Sequence, residues 1–89
     1  MKAVITVIGC DTIGIIAKVS AYLAESKINI LDISQTIMDD IFTMVMLVDL
    51  QKIEKAYNLI PDELEKLGEE IGVAIKIQHN DIFKSMHRI

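Results

Sequence analysis

The stretch KAVITVIGCDTIGIIAKVSAYLAE, residues 2–25, changes its hydrophobic period once, and that change decides the fold. Lys2–Gly9 reads as a strand: Val4, Ile5, Val7 and Ile8 are β-formers in a nearly continuous run, as in a strand buried on both faces. Gly9-Cys10-Asp11-Thr12 breaks it. From about Ile13 the period becomes helical, with Ile15, Ile16, Val19 and Leu23 in one apolar stripe and Lys18, Ser20 and Glu25 away from it. Asp11 or Thr12 suits the N-cap, because a short side-chain oxygen can accept from the free N–H groups of a first turn.

Downstream, the same two periods recur in a fixed order. Asn29 marks the helix exit, and Ile30–Met38 alternates Leu31, Ile33, Gln35 and Ile37 against Asp32, Ser34 and Thr36, a strand with one wetter face. Asp39-Asp40 lies between two β-rich runs and predicts a hairpin. Ile41–Leu50 is a third strand, apolar on both faces, with Val45 and Leu47 on one and Phe42, Met44, Met46 and Val48 on the other. Ile53, Tyr57, Ile60, Leu64, Leu67 and Ile71 then follow helical spacings. Pro61 interrupts that seam, so either the helix kinks there or a short helix ends and a second begins with Pro61 in its first turn. Gly72 is a helix stop and Val73–Gln78 the last strand. In the tail, Asn80–Ile89, the residues Ile82, Phe83, Met86 and Ile89 fall at helical spacing, which predicts a short amphipathic helix.

The order β-α-β-β-α-β with right-handed crossovers gives an α+β, ferredoxin-like βαββαβ sandwich: a four-stranded antiparallel sheet with both helices on one face, plus a short C-terminal helix. Residues 1–89 read as one domain, with a core over 1–79 and the tail over 80–89. The first and third strands take the centre, which agrees with their apolar patterns. The second sheet face has no helix of its own, yet the third strand is apolar there too. The tail, a second subunit, or both are expected to cover it.

Composition narrows the function. Of the 89 residues, 52% are apolar and only 4% aromatic, more apolar material than one small core uses, which points to an oligomer interface. The net charge is −4 with both signs interspersed, so no basic surface is available for phosphate backbones. An RNA-binding βαββαβ domain needs exposed aromatics on its sheet, and Phe42 is the one aromatic placed on a strand. No nucleic-acid partner is expected. One cysteine makes no intramolecular disulfide and suits a reducing compartment. The apolar run Ala3–Ile8 is too short for a signal sequence or a bilayer span, so the expectation is a cytoplasmic protein with no membrane partner.

Chemistry concentrates in Asp11-Thr12-Ile13-Gly14-Ile15, the first strand-to-helix turn. A helix N-terminus offers unpaired N–H groups and partial positive charge to a carboxylate or phosphate. Gly14 lets a ligand approach the backbone, and the Asp11 carboxylate could receive an ammonium group. Donors beside one carboxylate suit a zwitterion such as an amino acid. The plainer alternative is that Asp11 only caps the helix and Gly14 only eases packing. Elsewhere the patterns are poor. Cys10 is a small strand-end residue. His79 and His87 stand eight apart with only Asp81 near, Asp39-Asp40 is a turn, and the methionines are filler. No nucleophile–base arrangement and no phosphate-binding glycine motif can be assembled, so the expectation is no catalysis, no metal and no cofactor.

Gly9 through Ser20, followed by Leu23-Ala24-Glu25 and Ile28-Asn29-Ile30, resembles the opening of an ACT domain. The run Asn29–Thr36 and the ending Asp81-Ile82-Phe83 with Met86-His87-Arg88-Ile89 resemble the small stand-alone, uncharacterised ACT-domain proteins, over essentially the whole chain. The core also resembles the repeated domains of the glycine cleavage system transcriptional repressor, of which this chain holds one copy. The resemblance implies a regulatory module, a homodimer or tetramer in which copies join edge strands into a continuous sheet and an amino acid lies between them. It implicates the first turn of one copy (Asp11, Thr12, Ile13, Gly14 and Ile15) with Asn29 and Ile30 of the other. The Asn29 amide can donate to a carboxylate and accept from an ammonium. It implies as partners another copy, an amino acid and a protein that the module regulates. The family pattern has proline before the glycine, where this chain has Ile13. Proline fixes φ, so Ile13 leaves the turn less rigid and favours an alternative, a ligand-free structural or protein-interaction module.

Overall fold

The computed structural model describes residues 2–10 and 14–79. Its elements run β1 (Lys2–Gly9), α1 (Ile15–Glu25), β2 (Asn29–Met38), β3 (Ile41–Asp49), α2 (Leu59–Ile71) and β4 (Val73–His79). The strands form one antiparallel sheet in the order β2-β3-β1-β4, so the two most apolar strands are central.

Period 2 on the strands meets the helical stripe on one side of the sheet. Ile5 and Val7 of β1 and Phe42, Met44 and Met46 of β3 are fully buried there against Val19 and Leu23 of α1 and Ile60 and Leu64 of α2. Each such side chain contributes roughly 1.5–3 kcal/mol by leaving water. This is the helix side of the sheet. The other, open side carries Val4 and Ile8 of β1 and Thr43, Val45 and Leu47 of β3, as expected from alternation.

Local chemistry sets the boundaries. The α1 N-cap is Gly14 at φ 78, not Asp11 or Thr12, and the helix starts at Ile15, two residues later than its period implied. A left-handed N-cap needs glycine, so the residue that bends the chain is the one that ends the turn. Ile16 is exposed rather than part of the buried stripe. Of the two readings of Pro61, the helix beginning with it in the first turn is correct: α2 starts at Leu59. The residues before it form turns rather than a short helix, closed by N–H donation from Leu59 to Ala56 O (3.1 Å) and from Ile60 to Tyr57 O (3.0 Å). Gly72 stops α2 at φ 78, its N–H donating to Gly68 O. Asp39-Asp40 is a two-residue turn between the paired Met38 and Ile41, with Asp39 at φ 54.

β2 departs from its expected burial. The register sets Ile33 and Ile37 opposite Met46 and Phe42, on the helix side, yet both are exposed, Ile37 at 66%. Alternation chose the correct face, but of these positions only Ile30, at the start of the strand, packs against the core. A bulge between Ile30 and Asp32 takes up Leu31. The C-terminal helix expected over 80–89 lies outside the described residues. No helix among the described residues is long and apolar enough to cross a membrane.

Candidate functional site

The expected ligand set divides between the two ends of the sheet. Gly14 and Ile15 stand at the end where β1 finishes. Asn29 and Ile30 begin β2 at the opposite end, where β1 starts, because Asn29 pairs with Asp49 and Asp49 with Lys2. The 11 residues of α1 separate them, about 16 Å of helix. One chain therefore does not bring the two halves together. Asp11, Thr12 and Ile13 lie outside the described residues.

At the first end, Gly14 is exposed, and a Cβ built on it would meet nothing within 4 Å. Glycine is not there to ease packing; its φ and the open space in front of it are what the position supplies. Ile15 is buried in the core, so only its main chain can face a ligand. The first intrahelical bond runs from Lys18 N–H to Gly14 O at 3.0 Å, which leaves the N–H groups of Ile15, Ile16 and Ala17 without helical acceptors. Ile16, exposed on this first turn, was not anticipated as part of the site. Beside this end lies an open, mainly apolar cavity of about 510 Å³ that includes Ile8, Cys10, Ile41 and Gly72.

At the second end, Ile30 is half-buried opposite Val48 on the helix side, while Asn29 is exposed opposite Asp49 on the open side. A cavity of about 360 Å³ here gathers Lys27, Asn29, Asp49 and Lys52. Lys27 holds φ 63, a left-handed conformation unusual for a long side chain. The Asp49 carboxylate accepts from Gln51 N–H at 2.9 Å. Neither lysine carries a sequence signal, since each becomes informative only once β2 and β3 are paired.

A polar cluster that sequence reasoning missed ties the two helices together. Tyr22 of α1 donates its hydroxyl to Glu63 Oε1 of α2 at 2.7 Å, and Lys55 Nζ donates to the same oxygen at 2.8 Å. The Lys55 ammonium also stands 5.3 Å from the Tyr22 ring centre, a cation–π distance. Burial, with the neighbouring carboxylate, pushes the Tyr22 hydroxyl up to about 12, while the Lys55 ammonium and the Tyr22 hydroxyl hold the Glu63 carboxyl below its ordinary value. A phenol so shifted stays protonated near neutrality and serves as a clasp, not a base. Tyr22 and Glu63 are 41 residues apart, so no local pattern announces the pair. Among the described residues, no group of three or more His, Cys, Asp or Glu side chains could hold a metal.

Residues 2–78 match the family model of the ACT domain. The chain belongs to the ACT domain family. ACT domains are generally small-molecule-binding regulatory modules. The chain is similar to a UPF0237 protein of Methanococcus maripaludis, 57% identical over 99% of this chain and 98% of that one. It is also similar to the solved ACT domain protein from Streptococcus pneumoniae, with a TM-score of 0.84 and 43% identity over 94% of each chain. A putative glycine cleavage system transcriptional repressor shares the fold, with a TM-score of 0.70 and 24% identity over 86% of this chain and 44% of that one.

Proposed function

We propose that this ACT domain binds an amino acid between two copies of itself in the cytoplasm and passes the bound state to a protein that it regulates. The observation that carries this reading is the bare edge of β2, with Ile33 and Ile37 exposed on the same side of the sheet as α1. An unpaired apolar edge invites a second strand. Antiparallel pairing of β2 with its copy about a two-fold axis at Gln35 sets Ile33 against the partner's Ile37, a favourable cross-strand pair made twice. The same pairing carries the partner's Asn29 and Ile30 to the end of the sheet where Gly14 stands. The two half-sites that one chain holds apart would then meet.

In that arrangement the free N–H groups of α1 and its dipole receive the ligand carboxylate. Asp11 receives the ammonium, Thr12 and Ile13 belong to the same ligand set, and Asn29 adds a donor and an acceptor. Asn29 starts on the open side of the sheet and must reach around the edge, so Asp11→Ala is expected to weaken binding more than Asn29→Ala.

Thermal-shift measurements with the common amino acids at millimolar concentration test the reading, with light scattering alongside. A ligand that raises the melting temperature and holds the dimer mass supports it. If no amino acid moves either quantity, the sensing role is lost. The second reading, a ligand-free interaction module, is favoured by Ile13 in place of proline. It predicts that Asp11→Ala costs no more than a capping interaction, about 1 kcal/mol.

A further inference from the structure

β4 lies at the other end of the order β2-β3-β1-β4, and among the described residues no strand stands beside its outer edge. Alternate residues of β4 therefore turn their N–H and C=O groups outward, away from β1. Edge strands are commonly blunted by a bulge, a proline or a short length. β4 has none of these: its seven residues hold an unbroken register with β1 from Val73 to His79. An open groove of about 450 Å³ follows this edge, lined by residues 73–78 of β4 and by Pro61, Glu65 and Glu69 of α2. Charge is concentrated at the same place. α2 carries Asp62, Glu63, Glu65, Glu69 and Glu70 against Lys66, a net −4, which equals the charge of the whole chain. Everything outside α2 is thus balanced. Glu63 is turned to Tyr22 and Lys55, whereas Glu65 and Glu69 are exposed along the groove. These two stand four residues apart, about 6 Å of helix rise, close to the roughly 7 Å between same-face residues of a strand.

We infer that the outer edge of β4 takes up an extended, basic segment of a partner protein as an added strand. Main-chain hydrogen bonds to β4 hold the segment, and side chains on alternate positions give the selectivity. Two Lys or Arg residues separated by one position meet Glu65 and Glu69. Apolar side chains on the same face rest on Pro61 and on the half-buried Val73 and Ile77. A second copy suits this edge poorly, because two β4 strands paired about a two-fold axis would bring one acidic α2 beside another. A nucleic acid is repelled by the same charge. Only in calling this partner the regulated protein does the inference rest on the sensing proposal; the surface itself stands on β4 and α2.

A capped seven-residue peptide, Val-Thr-Lys-Thr-Lys-Thr-Val, tests this on the full chain. Its alternation puts both lysines and both valines on one face. Amide exchange should slow several-fold at alternate residues of β4 and stay unchanged along β2. Glu65→Lys combined with Glu69→Lys should weaken the peptide about tenfold, since two exposed ion pairs are reversed. The same double variant should tighten, by a similar factor, a peptide with glutamates in place of the lysines. Both positions are exposed, so that gain separates lost complementarity from lost folding. A peptide with its two lysines adjacent, one on each face, should bind several-fold more weakly than the first. Slowed exchange along β2 instead, equal affinity for the lysine and glutamate peptides, or no binding at millimolar peptide each overturns the inference. No readout requires an amino acid, so the sensing proposal and this one fail separately.

Discussion

β4 and β2 are both edge strands of one sheet, and the protein treats them in opposite ways. β4 is overlaid by α2: Ile75 is buried, and Gly68 lets the helix approach so closely that a Cβ there would stand 2.5 Å from Val73 O. β2 is covered only near Ile30, and Leu31, Ile33, Ile37 and Met38 are all exposed, Met38 at 70%. The difference does not come from a want of apolar residues, since β2 turns Ile30, Ile33 and Ile37 to the helix side as β4 turns Val73, Ile75 and Ile77. It comes from where the helices lie. One edge is overlaid by its own chain, and the other is left largely bare.

The largest expected effect lies on the overlaid edge. Gly68→Val must push α2 away from the β4 main chain, and overpacking of this kind should cost about 3 kcal/mol in urea denaturation. An unchanged midpoint would mean the helix is not held against the strand. On the open edge, Ile37→Lys should raise the dimer dissociation constant by roughly ten- to a hundredfold per protomer, the worth of one buried isoleucine. Ala74→Lys on β4 should leave the mass unaltered. Equal responses at the two edges would remove the distinction between them.

The smallest effect concerns the clasp joining the two helices. Glu63 is held below its ordinary value of 4.5 in the folded state, so its contribution is complete above pH 4.5. That contribution fades as the pH falls through the lower folded value. Glu63→Gln should therefore lose less stability than the parent between neutral pH and strongly acidic pH. Parallel acid-unfolding curves would show that the clasp is not formed.

The sheet order was legible in the sequence because alternation at Phe42, Met44, Met46 and Val48 and the stripe of Val19 and Leu23 are local patterns. The hairpin at Asp39-Asp40 and the stop at Gly72 were legible for the same reason. What escaped depends on distance. The exposure of Ile16, Ile33 and Ile37 follows from where α1 ends up over the sheet, which no period encodes. The N-cap falls on Gly14, whose left-handed backbone no capping pattern signals. In the site, the separation of Gly14 from Asn29 became visible only once β1, β2 and β3 were in register. The shared cavity of Lys27 and Lys52 and the Tyr22–Glu63 clasp had no sequence signal at all.

The bulge at Leu31 has a bearing on growth. A flat, uninterrupted apolar edge can recruit strand after strand and seed fibrils. By taking up one extra residue near the start of β2, the bulge twists that end away and confines a regular ladder to Asp32–Met38. Those seven residues are symmetric about Gln35, so a copy pairing in the proposed antiparallel register would use them all.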